Sequence, residues 1–157
     1  MLEAALVALE ASAPAEYLRE SFYAYPIVNA AHILALATLF GAILALDLRL
    51  LGLFRAVPVQ PLARVLPRVS AVGLAIALPT GFALFAVQPF DYLAHPVFPL
   101  KLGLIAIAAA NALLLHRTRA WGAMLGGGAV TARLRAAALL SLLGWSGAII
   151  AGRWLAF

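Results

Sequence analysis

The sequence predicts an all-α integral membrane protein: a four-helix antiparallel bundle with a short N-terminal interfacial helix. Three observations predict it. Of the 157 residues, 66% are hydrophobic and only 11% charged, with a mean hydropathy of +1.04, whereas a soluble domain carries about 45–50% apolar and about 25% charged residues. Four apolar stretches match the roughly 20 residues that a helix needs to cross a bilayer. Those stretches are continuous runs of Leu, Ala and Ile without two-residue alternation, so their backbone groups are satisfied inside helices and not in a closed barrel.

The elements follow in order. Residues 1–24 read as a segment of two short helices broken at 12–14. The second, 16–22, has the charges and aromatic residues of a helix lying on the membrane surface, and it ends at the Tyr25-Pro26 turn. Residues 25–157 read as one domain with spans at about 26–53, 66–89, 97–116 and 132–156. The cores of the first two spans carry no charge. The third holds Lys101 near its start, and the fourth lies between Arg135 and Arg153. Gly126, Gly127 and Gly128 read as a flexible joint, since no Lys-Ser/Thr pair accompanies them as in a phosphate loop. Short connections favour up-and-down joining.

Charge sets the orientation. The connections after spans one and three hold Arg49, Arg55, Arg64, Arg68, Arg117, Arg119, Arg133 and Arg135 against Asp47, a net +7. The opposite side holds Arg19, Lys101 and Arg153 against Glu3, Glu10, Glu16, Glu20 and Asp91, a net −2. The positive-inside rule makes the arginine-rich side cytoplasmic and both termini external. The aromatics Phe22, Tyr23, Tyr25, Phe90, Tyr92, Phe98, Trp154 and Phe157 fall at that external interface. The basic excess, with a pI near 10.5, therefore reports topology, and no nucleic-acid partner is expected. The first ten residues hold Glu3 and Glu10 and no Lys or Arg, unlike a secretory signal, so the whole chain reads as mature. The absence of cysteine excludes disulfide scaffolds, thiolate metal sites and thiol nucleophiles.

Ionisable groups within a membrane helix are functional candidates by default. His32 is the clearest, about 9 Å below the external edge at 1.5 Å per residue. With Asn29, Leu36, Leu39, Ile43 and Asp47 it forms a stripe expected to face the bundle. Ala37, Gly41 and Ala45 form another stripe, suited to close contact with a neighbouring helix. Imidazole ligates haem iron, relays protons or bonds a quinone carbonyl. His116 lies too deep on the other side to share an iron with His32, whereas His95 sits at a workable depth. Lys101 and Arg153, at the same face, are placed to meet propionates or another anion. The bland readings stand beside these. His32 serves equally as a hydrogen-bonded core residue, Asp47 as an end anchor paired with a nearby arginine, and His116 as an interfacial residue. Asn111 reads as an interhelical hydrogen-bond donor. Gly144, Ala148 and Gly152 form a small-residue ladder that is either an internal seam or a dimer face. No acidic residue or lysine lies at mid-membrane, which disfavours ion transport. Ser70, Ser141 and Ser146 have no histidine at their depth with a carboxylate behind it, which disfavours a serine hydrolase.

The run Tyr25-Pro26, His32, Gly41 and Asp47-Leu48-Arg49-Leu50-Leu51-Gly52 resembles a family of small, uncharacterised bacterial four-helix membrane proteins. Leu100-Lys101-Leu102, Asn111-Ala112 and Gly152-Arg153-Trp154 are similar to it too, so the resemblance covers the chain from about Glu16 onward. It implies the four-helix fold and a bacterial inner membrane, and no catalytic residues. His95 and His116 lie outside its pattern. More distantly, a histidine early in a membrane helix is similar to copper-resistance membrane proteins and four-helix b-type cytochromes. Those cytochromes carry several intramembrane histidines, and this chain carries one. The leading expectation is a bacterial inner-membrane protein that binds haem b or quinone near the external face. His32, Lys101 and Arg153 would be its binding residues, and His32 with His95 a candidate pair of iron ligands. The alternative is a non-catalytic accessory subunit that packs in the bilayer against a larger membrane complex or a copy of itself.

Overall fold

The computed structural model describes residues 1–155, and they form eight helices. α1 (Leu2–Glu10) and α2 (Ala13–Glu20) precede the long α3 (Ala24–Leu51). α4 (Val59–Val87), the short α5 (Pro89–Ala94) and α6 (Val97–His116) follow, then α7 (Arg119–Leu125) and α8 (Ala132–Trp154). The four helices α3, α4, α6 and α8 are each long and apolar enough to cross a membrane. Residues 156 and 157, the expected end of the fourth span and the aromatic Phe157, lie outside the described residues.

Two elements differ from the sequence expectation. α4 starts at Val59 and not near 66, because its first two turns have a buried face. Val59 and Ala63 pack against Leu46 and Leu50, while Arg64 is exposed and donates to the Leu125 carbonyl at 3.2 Å. Arginine density made this stretch read as a loop. The joint ahead of the three glycines folds as α7. The Thr118 hydroxyl accepts from the Trp121 N–H at 3.2 Å, which caps the helix. Trp121 and Met124 are buried against Leu50, Leu115 and Leu134. The turn after α7 then runs through Gly127 at φ +100°, a conformation that favours glycine.

The long helices pack antiparallel in the order α4, α3, α8, α6. α3 and α4 meet most closely at Gly73, where an added Cβ would lie 2.6 Å from the Leu39 nitrogen and 2.8 Å from the Ala35 oxygen. α8 meets α6 through its small residues: a Cβ on Gly144 would lie 3.0 Å from that of Ala108, and one on Gly147 would lie 3.1 Å from Leu104. The α8 ladder is therefore an internal seam. By contrast, Ala37, Gly41 and Ala45 are exposed, and nothing lies within 4 Å of a Cβ built on Gly41. α3 is thus gripped through Ala35, Leu39 and Ala42, on a different face from the small-residue stripe that sequence spacing favours. Asn29, expected on the bundle face, is exposed as well.

The end that carries the termini is closed by local polar and aromatic contacts. Ala15 and Leu18 bury one face of α2. Arg19 donates to the Val87 carbonyl at the end of α4 (3.0 Å) and to the Glu10 carbonyl (3.1 Å), and lies 3.9 Å from the Glu10 carboxylate. One side chain thereby satisfies a carbonyl that α4 leaves without an intrahelical partner. Phe85 of α4 stacks on Phe98 of α6 at 5.4 Å and 7°, with Tyr92 of α5 against both rings. Burial, with a smaller contribution from Tyr25, pushes the Tyr92 phenol above its usual range, so it stays neutral.

Replacing Gly73 by leucine forces α3 and α4 apart and should lower stability by about 2 kcal/mol or more. The same change at Gly41 should stay within about 0.5 kcal/mol. Unfolding in detergent compares the two, and equal losses would contradict the crossing. Arg19→Ala should leave the four long helices intact while speeding proteolysis of residues 1–23.

Candidate functional site

The backbones of α4 and α6 do not approach each other closely. Aromatic rings fill the gap between them at the terminal end, and α7 fills it at the arginine-rich end. Between those plugs lies a cavity of about 350 Å³, within the range of small-molecule sites. Leu39, Ile43, Leu46 and Asp47 of α3 line it from one side. Leu66, Ser70 and Leu74 of α4 and Ala109, Asn111 and His116 of α6 flank it, while Trp121 of α7 and Ser141 and Trp145 of α8 complete it. Both α4 and α6 contribute to its walls without a close backbone approach between them.

Most of the polar groups around this cavity have partners of their own. Ser70 donates to the Pro67 carbonyl at 2.9 Å, and the Asn111 amide donates across to the Ala137 carbonyl of α8 at 2.9 Å. His116, exposed at the rim, donates from Nδ1 to the Ala112 carbonyl at 2.6 Å, and its ring lies 4.3 Å from that of Trp121. Two atoms have none. Among the described residues, Asp47 Oδ2 and Trp145 Nε1 are the buried side-chain polar atoms without a hydrogen-bond partner. Both residues are only 5% exposed. Leaving a buried polar group unpaired costs about 1–3 kcal/mol, and a charged one more. Polar groups left this way mark places where a ligand can complete the bonding.

The expectation that Asp47 pairs with an arginine is overturned. It makes no ion pair among the described residues, and Arg49 turns away to donate to the Val57 carbonyl. Asp47 lies one turn inside the helix end, on the face of Leu39 and Ile43, and its nearest hydroxyl neighbour is Ser141 of α8. Ser141 and Trp145 are four residues apart on one face of α8. Asp47, Ser141 and Trp145 thus line one side of the same cavity. Ser70, Ser141, Asp47 and His116 do share this cavity, contrary to the depth expected for them. They form no catalytic triad, because His116 Nδ1 is held by a backbone carbonyl and Asp47 holds no histidine.

The sequence candidates lie toward the other end. His32 sits about 22 Å from Asp47 along α3. Its Nδ1 is 2.9 Å from the Thr80 hydroxyl, which itself donates to the Ile76 carbonyl at 2.7 Å. That chain assigns the proton to His32 Nδ1 and leaves the lone pair on Nε2. Gly81 makes room for the ring, since a Cβ there would lie 2.9 Å from His32 Cε1. Lys101, half-buried, lies along Gly152 of α8 with Nζ 3.5 Å from a Cβ built there, and its charge acts on His32. His95 accepts the Val97 N–H on its Nδ1 at 3.2 Å, where it caps the start of α6. Arg153 is exposed near the end of α8. Among the described residues, no group of three or more His, Asp or Glu side chains is placed to hold a metal ion.

Fold and cavity together define a multi-pass helical membrane protein with an apolar internal site that holds one unpartnered acceptor and one unpartnered donor. No family model, curated protein or solved structure matches the chain.

Asp47 kept for a ligand and Asp47 kept for structure predict opposite outcomes. Asp47→Leu should stabilise the ligand-free protein by about 1–3 kcal/mol. Breaking a structural ion pair would instead destabilise it by about 3–5 kcal/mol. Denaturation of both variants in detergent decides.

Proposed function

We propose that this protein binds a lipid-soluble redox cofactor of the quinone class in the cavity between α3, α4, α6 and α8. One observation carries the reading: a largely apolar cavity is lined by Asp47 and Trp145, the two residues whose buried polar atoms, one acceptor and one donor, the protein leaves unmet. A quinone has the matching chemistry. Its ring fills apolar space, its oxygens take up hydrogen bonds, and its isoprenoid tail leaves between α4 and α6 into lipid. Haem b fits the cavity less well, since its lining offers one histidine, at the rim and with Nδ1 engaged. His32, on Thr80 through Nδ1 and within reach of the Lys101 charge, remains the candidate for a second cofactor contact toward the terminal end. By the positive-inside rule the arginine-rich end is cytoplasmic and both termini are external, in a bacterial inner membrane. The cavity then lies in the cytoplasmic half.

Solvent extraction of the protein purified from native membranes should yield quinone, and a short-chain quinone added to the quinone-free protein should quench tryptophan fluorescence. Quenching should fall in Trp145→Phe, be lost in the double variant Trp121→Phe/Trp145→Phe, and persist in Trp154→Phe. An empty extract with no quenching removes the reading.

A second reading, the accessory subunit, is favoured by the exposed Ala37, Gly41 and Ala45 stripe. Crosslinking from Gly41 in native membranes tests it, and a chain that stays monomeric there removes it.

A further inference from the structure

We infer that the cavity selects the reduced, hydroxylated form of its ligand, a hydroquinone, over the oxidised quinone, and that Asp47 is the residue that makes the choice. This rests on the quinone reading of the cavity and assigns its specificity. The two unpartnered atoms differ in sense. An indole N–H can only donate, and an ionised carboxylate can only accept. A quinone carries acceptors alone, so it satisfies Trp145 and leaves Asp47 Oδ2 buried and unmet. A hydroquinone satisfies both: one hydroxyl oxygen accepts from Trp145 Nε1, and the other hydroxyl donates to Asp47. Both residues line the one cavity, so a single ring with an oxygen at each end can be shared between them.

The surroundings supply no substitute. Ser70 and Asn111 are committed to backbone carbonyls. The cavity walls contributed by α4, α7 and α8 carry no titratable side chain, and α6 contributes His116 alone, at the rim. Ser141 borders Asp47 and can orient it, but it cannot change its sense. No cation faces Asp47 from these walls, so its proton is the one variable that resets the site. A protonated Asp47 becomes a donor and serves a quinone carbonyl, so acidification should erode the preference for hydroquinone.

The test is binding of one short-chain quinone to the detergent-solubilised protein by calorimetry. Oxidised and chemically reduced forms are titrated separately, in mildly alkaline and in acidic buffer. A hydrogen bond to a charged group corresponds to a preference of about tenfold or more. Wild type should bind hydroquinone at least about tenfold more tightly at alkaline pH, with the ratio shrinking in acid. Asp47→Asn should abolish or invert the ratio and remove its pH dependence, whereas Asp47→Glu, which keeps the acceptor, should retain a preference. Trp145→Phe should weaken both forms alike. Equal wild-type affinities, or a ratio unchanged in Asp47→Asn, overturn the selection and leave the binding site standing. Failure of both forms to bind overturns the quinone reading itself.

Discussion

The approach of α3 and α4 at Gly73 is the contact on which the remaining architecture depends. A methyl group there would meet backbone atoms of Leu39 and Ala35 at under 3 Å, so only glycine lets the two helices pair this tightly. In lipid, helices gain little from burying apolar surface against one another, and close van der Waals contact has to hold them. α3 then has α4 on one side and α8 on the other. α6 reaches the assembly through the second close seam, Gly144 against Ala108. A row of helices bound by two tight seams leaves α4 and α6 without a close backbone seam, bridged at one end by Phe85 on Phe98, and the cavity lies where that seam is missing.

Polar groups are scarce, and how they are spent separates structure from site. Asn111, Ser70, Thr80 and Thr38 each return a hydrogen bond to a helix carbonyl, the usual way to keep such side chains neutral in lipid. Arg19 caps α4, and His95 caps α6. Against that background, Asp47 and Trp145 are exceptions of opposite hydrogen-bonding sense in one cavity. A protein that can seat Asn111 with a partner across an interface has no structural need to leave a carboxyl unmet beside it.

The spans and the antiparallel joining were legible because continuous apolar length is a direct readout of the bilayer. The first two turns of α4 and the whole of α7 were not, because their arginines hide short amphipathic faces whose burial depends on neighbours distant in sequence. Gly41 and Gly73 show the same limit. Both are mid-helix glycines, and nothing local distinguishes the one that meets a partner from the one that does not. For the site, His32 drew attention as the one histidine well inside a span, whereas Asp47 was masked by Arg49 two residues away, which favours an ion-pair reading. Trp145 did leave a signal: an indole at the middle of a span carries a donor far from the interfacial belt where tryptophan ordinarily settles.

The two ends of the α4/α6 gap are closed by different means, and the difference bears on how a ligand enters. At the terminal end, Phe85, Tyr92 and Phe98 interlock as stacked and tilted rings from three helices, a plug without polar atoms at its centre. At the arginine-rich end, α7 is fastened by Trp121 and Met124 in the core and by Arg64 on the Leu125 carbonyl. It is also tethered by the glycine turn that follows it. Both ends are thus held by packed side chains, whereas the cavity between them is lined mostly by apolar residues of α3, α4 and α6. On the quinone reading, a ligand dissolved in the bilayer would come to Asp47 and Trp145 from the lipid side, while His116 sits at the rim with its Nδ1 held by the Ala112 carbonyl. On that reading the two closed ends favour the α4/α6 flank over either end of the bundle as the way in, which suits a cofactor that partitions into lipid.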